Sequence, residues 1–233
     1  MNTEATPRYV IDPPPGTALP VTGSDALFPV HRVYCVGRNY AAHAVEMGHD
    51  PDKSPPFFFQ KNPDNLNLTG DFPYPPASTD VHHEIELVVA LGAGGRDIPV
   101  GEATGCVYGY AVGLDMTRRD LQAKAKELGR PWEVAKAFEA SAPCSAIVPA
   151  SKTGALDAGA IWLDVNGERR QTGDINQLIW KVPEMIAYLS RLFTLAPGDV
   201  IFTGTPSGVA AIAAGDVMHG HIDGVGDITV KVT

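Results

Sequence analysis

The sequence predicts a mainly β protein of the α+β class, with a few helices outside the sheets. Its 24 glycines and 20 prolines among 233 residues make up about 19% of the chain, against an average of about 12%, so many turns are expected. Short apolar segments of strand length alternate with turn residues. One pair of these segments flanks Asn166-Gly167, the strongest short-range signal for a β-hairpin.

Residues 1–30 are predicted to form a loosely ordered N-terminal arm. Its Pro-rich residues 12–16 can be neither a helix nor a central strand. Beyond residue 30 the sequence has no repeat and no clear linker, and its 44% hydrophobic composition is enough for a sizeable core. We therefore expect a single domain over residues 31–233.

This domain begins with a predicted strand over residues 32–36. A turn at Gly37 leads into a predicted helix over residues 40–47, which Gly48 would end. Another apolar segment starts at Phe57. The remaining predicted strands are 84–91, 106–114, 161–165, 168–172, 200–203 and 228–232, and the remaining predicted helices are 117–129 and 183–193.

Charge and cysteine content narrow the class of protein. A net charge of -9 and a pI of about 5.2 argue against binding to nucleic acid or to an anionic membrane surface. No signal peptide is visible, and no apolar run approaches the roughly 20 residues that span a bilayer. Cys35, Cys106 and Cys144 are widely spaced and odd in number, as expected of reduced, buried thiols. We expect a cytoplasmic protein.

Two carboxylates lie two residues apart in a segment that otherwise resembles a buried strand. Glu84 and Glu86 would point to the same face, because side chains alternate across a strand. Such a pair is costly unless a cation lies between the charges. Asp115, at the end of another apolar strand, can supply a third oxygen ligand for Mg²⁺ or Mn²⁺.

Simpler interpretations of these acids remain open at this stage. Both glutamates can face solvent on an edge strand, and Asp115 can be the N-cap of the helix that follows. His82 would share the face of the glutamates if the strand starts early, which would admit a borderline metal. His83 would point the other way and serve the structure.

A histidine and a glutamate are spaced for contact on the first predicted helix. His43 and Glu46 lie three residues apart and share a helix face. A carboxylate that holds an imidazole gives a general base able to take a proton from water. The alternative is an ordinary His–Glu pair on the surface.

Cationic and amide side chains follow the proposed metal ligands. Arg119 and Gln122 share a helix face close to Asp115. Lys136 lies among apolar residues, where a buried ammonium group needs a negative partner. The alternative for Lys136 is a surface lysine whose aliphatic stem covers apolar surface.

A glycine-rich loop occupies residues 203–208. It lacks the Gly-Lys-Ser/Thr ending of a P-loop, so nucleotide binding is rejected. Its glycines leave backbone N–H groups open to a carboxylate, as in an anion nest.

Together these motifs resemble the fumarylacetoacetate hydrolase family, and within it the acylpyruvate hydrolases. The similarity extends from about Val33 to the C-terminus. The motifs that carry it, in order, are Gly37-Arg38-Asn39-Tyr40 with His43 and Glu46, then His83-Glu84-Ile85-Glu86-Leu87, residues 109–120, residues 132–136, and Thr203-Gly204-Thr205-Pro206. Their order and spacing, rather than any one of them, make the resemblance specific.

The resemblance implies a mixed β-sandwich roll, usually a homodimer, with Mg²⁺ or Mn²⁺ held by Glu84, Glu86 and Asp115. It also implies that His43 and Glu46 activate water from a helical lid. The further site residues that it implies are Lys136 in catalysis and Arg38, Tyr40, Lys61, Arg119, Gln122, Gly204 and Thr205 in substrate binding. Around Lys61 the chain departs from the family's Phe-x-Lys-Pro pattern by one extra residue.

By the same resemblance, the expected reaction is metal-dependent hydrolysis of the C–C bond of an acylpyruvate, a 2,4-dioxo acid. The favoured substrate is fumarylpyruvate, which would give fumarate and pyruvate in the catabolism of gentisate-type aromatics. Arg38, Lys61 and Arg130 are candidates for its second carboxylate. The alternatives are an oxaloacetate decarboxylase or a 2-hydroxydienedioate isomerase or decarboxylase on the same metal site, and a non-catalytic binding protein.

Overall fold

The computed structural model describes residues 8–46 and 55–233. Its strands are β1 (Ala18–Pro20), β2 (Leu27–Pro29), β3 (Arg32–Gly37), β4 (Phe57–Lys61), β5 (Leu66–Asn67), β6 (Asp71–Phe72), β7 (Val81–His82), β8 (Ile85–Leu91), β9 (Val107–Leu114), β10 (Thr117–Arg118), β11 (Ala142–Pro143), β12 (Val148–Pro149), β13 (Ala160–Val165), β14 (Glu168–Asp174), β15 (Asp199–Phe202), β16 (Val217–Ile222) and β17 (Gly226–Val232). The α-helices are α1 (Ala41–Glu46), α2 (Val100–Ala103), α3 (Arg119–Glu127), α4 (Glu133–Lys136), α5 (Ala150–Thr153) and α6 (Val182–Leu192). Short 3₁₀ helices cover Pro63–Asn65, Thr104–Cys106 and Ile175–Gln177.

Two sheets form the body of the molecule. The six-stranded sheet has the order β12-β9-β8-β15-β3-β4, in which only β15 and β3 run parallel. The five-stranded sheet has the order β14-β13-β16-β17-β6, with a parallel pair between β17 and β6. These mixed sheets with few helices confirm the predicted fold class.

The core lies between the sheets. Ile85 and Leu87 of β8, together with Leu163 of β13, belong to its main hydrophobic cluster. The sheets approach so closely that a Cβ atom at Gly220 would lie 2.7 Å from Ile85 Cδ1, so a larger residue here would force the Ile85 side chain to shift. Every residue of β8 is buried, which places this strand in the interior of the sandwich.

The N-terminal arm is more ordered than the sequence analysis predicted. Strands β1 and β2 pair with each other. Leu19, Val21 and Phe28 are buried and join a second hydrophobic cluster with Val33 of β3. Of the described residues in this arm, only the exposed, Pro-rich residues 8–16 fit the prediction of an irregular segment. The apolar residues beyond them are ordered because they enter a hydrophobic core.

Two observed helices have bounds that differ from, or only partly cover, the predicted ones. The helix predicted over residues 117–129 begins two residues later, because Thr117 and Arg118 pair with strand β7. The first predicted helix corresponds to α1, and its predicted end at Gly48 lies outside the described residues.

Among the described residues, no helix combines the length and the apolar character needed to cross a bilayer. The three cysteines are free and buried, as predicted.

Candidate active site

The pairing of β8 with β9 brings the three predicted acids together. Ile85 lies opposite Leu114, and Glu86 opposite Gly113. Asp115 is therefore beside Glu84, and its backbone N–H donates to the Glu84 carbonyl at 2.8 Å. Residues opposite each other in an antiparallel pair share a face, as do residues two apart in a strand. One ligand oxygen from each carboxylate lies within 4.8 Å of the other two.

The simpler interpretations of these acids are excluded by their surroundings. Strand β8 lies between β9 and β15 rather than at a sheet edge, and Glu84, Glu86 and Asp115 are all buried. The residue that precedes helix α3 is Arg118, so Asp115 is not its N-cap. His82 Nε2 contacts Asp80 Oδ1 at 2.8 Å and is not part of the acidic cluster.

Three cations surround the acidic cluster. Lys136 Nζ donates to Glu84 Oε2 at 2.7 Å and to Asp115 Oδ2 at 2.6 Å. Arg119 donates to Glu84 Oε1 at 2.5 Å. Lys61 Nζ lies 2.9 Å from Asp115 Oδ1. Lys136 is 2% exposed, so the surface-lysine interpretation is wrong.

Burial and neighbouring charges set the ionisation of these groups. Burial alone would raise the pKa of the Glu84 carboxyl, but Lys136 and Arg119 more than compensate and hold it below its usual range. Burial raises the pKa of Glu86 well above its usual value, and the charges of Asp115 and Glu84 add to this effect. Burial lowers the pKa of Lys136, yet the same two carboxylates raise it more, so the ammonium stays protonated.

The site fits a hard divalent cation. Within the described residues, Glu86 forms no ion pair, and its Oε2 atom accepts a hydrogen bond from Gly204 N–H at 2.8 Å. Asp115 Oδ1 is close to Lys61 Nζ but receives no aligned hydrogen bond. Three buried carboxylates, with one oxygen of Glu86 and one of Asp115 free of hydrogen bonds from described residues, are the donor set that Mg²⁺ or Mn²⁺ prefers. A cation here would offset the mutual repulsion of the three charges.

The predicted His–Glu pair lies beside the acidic cluster. His43 is buried on α1, and its Nδ1 atom is 3.2 Å from Glu46 Oε2. The Gly208 N–H donates to both oxygens of Glu46 at 3.1 and 3.2 Å, which fixes the carboxylate. Since Nδ1 faces Glu46, Nε2 is the ring atom that can accept a proton from water in the cavity.

One cavity brings most of the predicted residues together. It is lined by the metal-ligand candidates Glu84, Glu86 and Asp115, by His43 and Lys136, by four of the predicted substrate contacts (Arg38, Arg119, Gln122 and Thr205), and by Val36, Gly37, Phe59, Lys126 and Trp132. Arg119 donates to Gln122 Oε1 at 2.7 Å, as their shared helix face predicted.

Three predicted substrate contacts do not line the cavity. Lys61 is fully enclosed and bonds to Met116 O and Ser141 Oγ as well as Asp115, so it supports a carboxylate instead. Tyr40 is packed into the main hydrophobic core. Gly204 contributes its N–H group to Glu86, and its close approach to Asn39, with φ at 100°, requires glycine. The sequence motifs predict that these residues lie near the site. They do not predict the direction in which each side chain faces.

Sequence reasoning missed Lys126 and the aromatic wall formed by Phe59 and Trp132. Lys126 follows Arg119 and Gln122 on one face of α3, at i, i+3 and i+7, so the helix periodicity could have found it. The wall joins β4 to the start of α4. This is a long-range contact with no local sequence signal.

A buried glutamine, also missed, links the two sheets behind the cavity. Gln171 of β14 accepts hydrogen bonds from Ile85 N–H at 3.1 Å and His83 Nδ1 at 2.9 Å. Its Nε2 group donates to Thr205 Oγ1 at 2.8 Å and Pro206 O at 2.9 Å. Because the Thr205 oxygen accepts this bond, its own proton is available for donation into the cavity.

Replacing Gln171 with leucine should lower the free energy of unfolding by about 1–3 kcal/mol. The change leaves the buried N–H of Ile85 and carbonyl of Pro206 without their partner. Urea unfolding followed by circular dichroism measures the effect. The control is Gln60→Leu on the exposed part of β4, which should change stability by less than about 0.5 kcal/mol. Equal stability of the two variants would contradict the proposed role of Gln171.

Comparison with known proteins agrees with this site. Residues 32–233 match the family model described as fumarylacetoacetate (FAA) hydrolase C-terminal. A fumarylpyruvate hydrolase of Ralstonia sp is 45% identical over 189 residues, covering 80% of this chain and 98% of that protein. The oxaloacetate tautomerase YcgM of Escherichia coli (strain K12) is 42% identical over 198 residues, covering 84% of this chain and 90% of that protein.

A solved structure is more similar still. The crystal structure of a fumarylpyruvate hydrolase from Pseudomonas aeruginosa, in complex with Mn²⁺ and pyruvate, superimposes with a TM-score of 0.95. The two sequences are 53% identical, and the match covers 97% of this chain and 99% of that one. The similarity therefore extends over both sheets and the cavity.

Proposed function

The chain belongs to the fumarylacetoacetate hydrolase family, and we propose that it is a metal-dependent hydrolase that cleaves the C–C bond of an acylpyruvate. The substrate that we favour is fumarylpyruvate, with fumarate and pyruvate as products. The observation that carries the proposal is the acidic cluster of Glu84, Glu86 and Asp115, which shares one cavity with His43, whose Nδ1 atom contacts Glu46.

Glu84, Glu86 and Asp115 would hold Mg²⁺ or Mn²⁺ through their carboxylate oxygens. The fumarylpyruvate hydrolase of Pseudomonas aeruginosa was crystallised with Mn²⁺ and pyruvate, which supports this assignment. A divalent cation in this position supplies Lewis-acid stabilisation for negative charge on the pyruvyl oxygens of a 2,4-dioxo acid.

The His43–Glu46 pair would activate the attacking water. Glu46, fixed by the Gly208 N–H, keeps the proton of His43 on Nδ1, so Nε2 takes a proton from a water in the cavity. That water attacks the C4 carbonyl of the substrate. The C3–C4 bond then breaks, and pyruvate leaves as its enolate, which is protonated to give the product.

Fixed positive charges near the cavity would stabilise the negative charge that develops on the substrate. Lys136 stays protonated and donates its three N–H groups to Glu84, Asp115 and Thr117, so its fixed positive charge can stabilise the departing enolate electrostatically. Arg119 lines the same cavity and can contact the substrate carboxylate. Thr205 can donate its hydroxyl proton because Gln171 occupies the hydroxyl oxygen.

We also propose that residues 31–233 are the catalytic domain and that the protein is a cytoplasmic homodimer. The family match over residues 32–233 supports the domain assignment. Three free, buried cysteines fit a reducing compartment. The dimer is the arrangement that family membership leads us to expect.

Oxaloacetate chemistry is the second candidate. It is favoured by the 42% identity to a protein named as an oxaloacetate tautomerase. Enolisation or decarboxylation of oxaloacetate would use the same acidic cluster and Lys136 but would need no attacking water. The His43–Glu46 pair, which hydrolysis requires, is the feature that favours acylpyruvate cleavage.

A substrate panel with and without chelator tests the proposal. The Mn²⁺-loaded protein should consume fumarylpyruvate, seen as loss of the absorbance of the enolised diketone, with one pyruvate and one fumarate formed per turnover. Excess chelator should abolish the reaction, and Mn²⁺ should restore it. Activity that persists in chelator would contradict the metal-dependent mechanism. Rapid loss of oxaloacetate with fumarylpyruvate untouched would favour the second candidate.

A further inference from the structure

Two cations in the described part of the chain line the cavity without a carboxylate partner in that part. Neither the Arg38 guanidinium nor the Lys126 ammonium group forms an ion pair or a side-chain hydrogen bond with another described residue, although Lys126 Nζ lies over the Trp132 ring. We propose that these two side chains bind the terminal carboxylate of a dianionic acylpyruvate and make the enzyme prefer such substrates. This inference rests on the proposed function and adds the residues that would determine substrate specificity.

The other cations near the cavity are already engaged. Arg119 and Lys136 bond to the acidic cluster, and Lys61 is enclosed behind Asp115. Arg130 lines a separate groove with Leu121 and Val134. Of the three cations that the sequence offered for a second carboxylate, only Arg38 remains, and Lys126 joins it.

Arg38 is held in an unusual backbone conformation. Its φ angle is 59°, in the left-handed region that is sparsely populated by residues other than glycine. The residue directly follows β3, is exposed, and lines the cavity with His43. A cavity-lining residue in this conformation is a candidate for a functional role, and an anion in the cavity would give this guanidinium a partner.

Lys126 lines the same cavity as Arg38 and Arg119. Burial lowers the pKa of its ammonium group, and the charges of Arg119 and Arg38 lower it further. Three cations that line one cavity repel one another, and among the described residues Arg119 is the one of the three with a carboxylate partner, Glu84. A second negative charge brought by the substrate would offset this repulsion.

An aromatic wall connects the acidic end of the cavity to Lys126. Lys136 Nζ is 5.1 Å from the centre of the Phe59 ring, and the Phe59 and Trp132 ring centres are 5.8 Å apart. Lys126 Nζ is 5.2 Å from the centre of the Trp132 ring. The order is therefore Lys136, Phe59, Trp132 and Lys126, with two flat apolar surfaces between the two ammonium groups.

This arrangement matches a substrate with a carboxylate at each end and a planar conjugated chain between them. The pyruvyl carboxylate would lie at the acidic cluster with its cation, and the conjugated acyl chain would lie against the rings. Its terminal carboxylate would then reach Arg38 and Lys126. Oxaloacetate is also a dianion, but its two carboxylates are separated by only two carbons and are too close together to occupy both ends.

The test compares fumarylpyruvate with acetylpyruvate, which lacks the terminal carboxylate. The variants are Arg38→Met, Lys126→Met and their combination, and the matched control is Lys124→Met, two residues away on α3 and lining the separate groove. We measure kcat/KM for both substrates with the Mn²⁺-loaded proteins. The substrate preference is the kcat/KM for fumarylpyruvate divided by the kcat/KM for acetylpyruvate. Each single variant should lower this ratio about tenfold or more, as expected for a lost charge-assisted hydrogen bond. The Lys124→Met control should keep the wild-type ratio.

The outcomes separate this inference from the function on which it rests. If the wild-type protein cleaves both substrates and the Arg38 and Lys126 variants lower both rates in parallel, the terminal-carboxylate assignment is wrong and the hydrolase proposal stands. If the wild-type protein cleaves neither substrate, both proposals fail, and the wild-type measurement alone reveals it. Circular dichroism of each variant confirms folding, and the combined variant should lose more preference than either single variant.

Discussion

Replacing Glu86 with glutamine is expected to lower the affinity for Mn²⁺ on the order of 100-fold or more, because it removes a direct oxygen ligand. Turnover of fumarylpyruvate at a fixed Mn²⁺ concentration should fall by at least about 10³-fold, which corresponds to the several kcal/mol that a bound cation supplies. The melting temperature of the cation-free protein should stay the same or rise. A variant that loses Mn²⁺ binding but keeps the melting temperature of the cation-free protein is the result that distinguishes a metal ligand from a residue needed for folding.

The reason is the environment of this carboxyl group. Burial, and then the charges of Asp115 and Glu84, raise the pKa of Glu86, and among the described residues its Oε2 atom accepts a hydrogen bond only from the N–H of Gly204. Glutamine has nearly the same shape, keeps an oxygen acceptor and carries no charge. Asp115 is a less suitable target, because its removal would leave the buried Lys61 and Lys136 with one counter-ion fewer.

Isothermal titration with Mn²⁺ and thermal unfolding in chelator measure the two effects. The matched control is Glu102→Gln on the exposed surface of α2, which should alter neither. If Glu86→Gln binds Mn²⁺ as tightly as the wild type, the acidic cluster is not the metal site. A large fall in stability of the cation-free variant would show instead that the carboxylate is needed for folding.

Replacing His43 with alanine is expected to lower acylpyruvate hydrolysis by about 10²–10⁴-fold, the range typical of a lost general base. Any conversion of oxaloacetate should fall much less, because enolisation and decarboxylation need no attacking water. Glu46→Gln should give a smaller loss of hydrolysis, since the glutamine keeps a hydrogen bond to Nδ1 but not the charge that orients and stabilises the imidazolium.

Single-turnover rates for both substrates, with Mn²⁺ bound, provide the measurement. His219→Ala on the exposed face of β16 is the control, and it should leave both rates unchanged. Equal losses of hydrolysis and of oxaloacetate conversion in His43→Ala would argue against a role in water activation. Unchanged hydrolysis would remove His43 from the mechanism.

The sequence was sufficient for the fold class and the acidic cluster because the signals are local. Period-two spacing placed Glu84 and Glu86 on one face, and the apolar strand before Asp115 indicated where the third acid lies. The family motifs then identified His43 and Lys136, and all five residues line one cavity. The pairing of Glu84 with Glu86 needed one rule of side-chain geometry, whereas the choice of Asp115, His43 and Lys136 over their simpler interpretations needed the order and spacing of all the motifs.

The directions of several side chains could not be read from the sequence, because they depend on contacts between distant segments. Lys61 faces Asp115 and does not line the cavity, since β4 pairs with β3 at the far edge of the sheet and turns this residue inward. Tyr40 enters the core through a bridge to Leu178. The ordered half of the N-terminal arm was missed for the same reason: its partners are Val33 and other residues of a second hydrophobic cluster.

The burial of β8 on both faces has a consequence for folding fidelity. In most half-exposed strands, the alternation of apolar and polar residues selects one alignment with the neighbour, but every position of this strand is covered. A shift by one residue would turn Glu86 into the hydrophobic layer that Ile85 and Leu87 occupy, at a large desolvation cost. The acids that would serve the reaction therefore also make a misaligned pairing of β8 unfavourable. Variants with apolar residues at these positions would be more stable, but a second strand alignment could then compete with the native one.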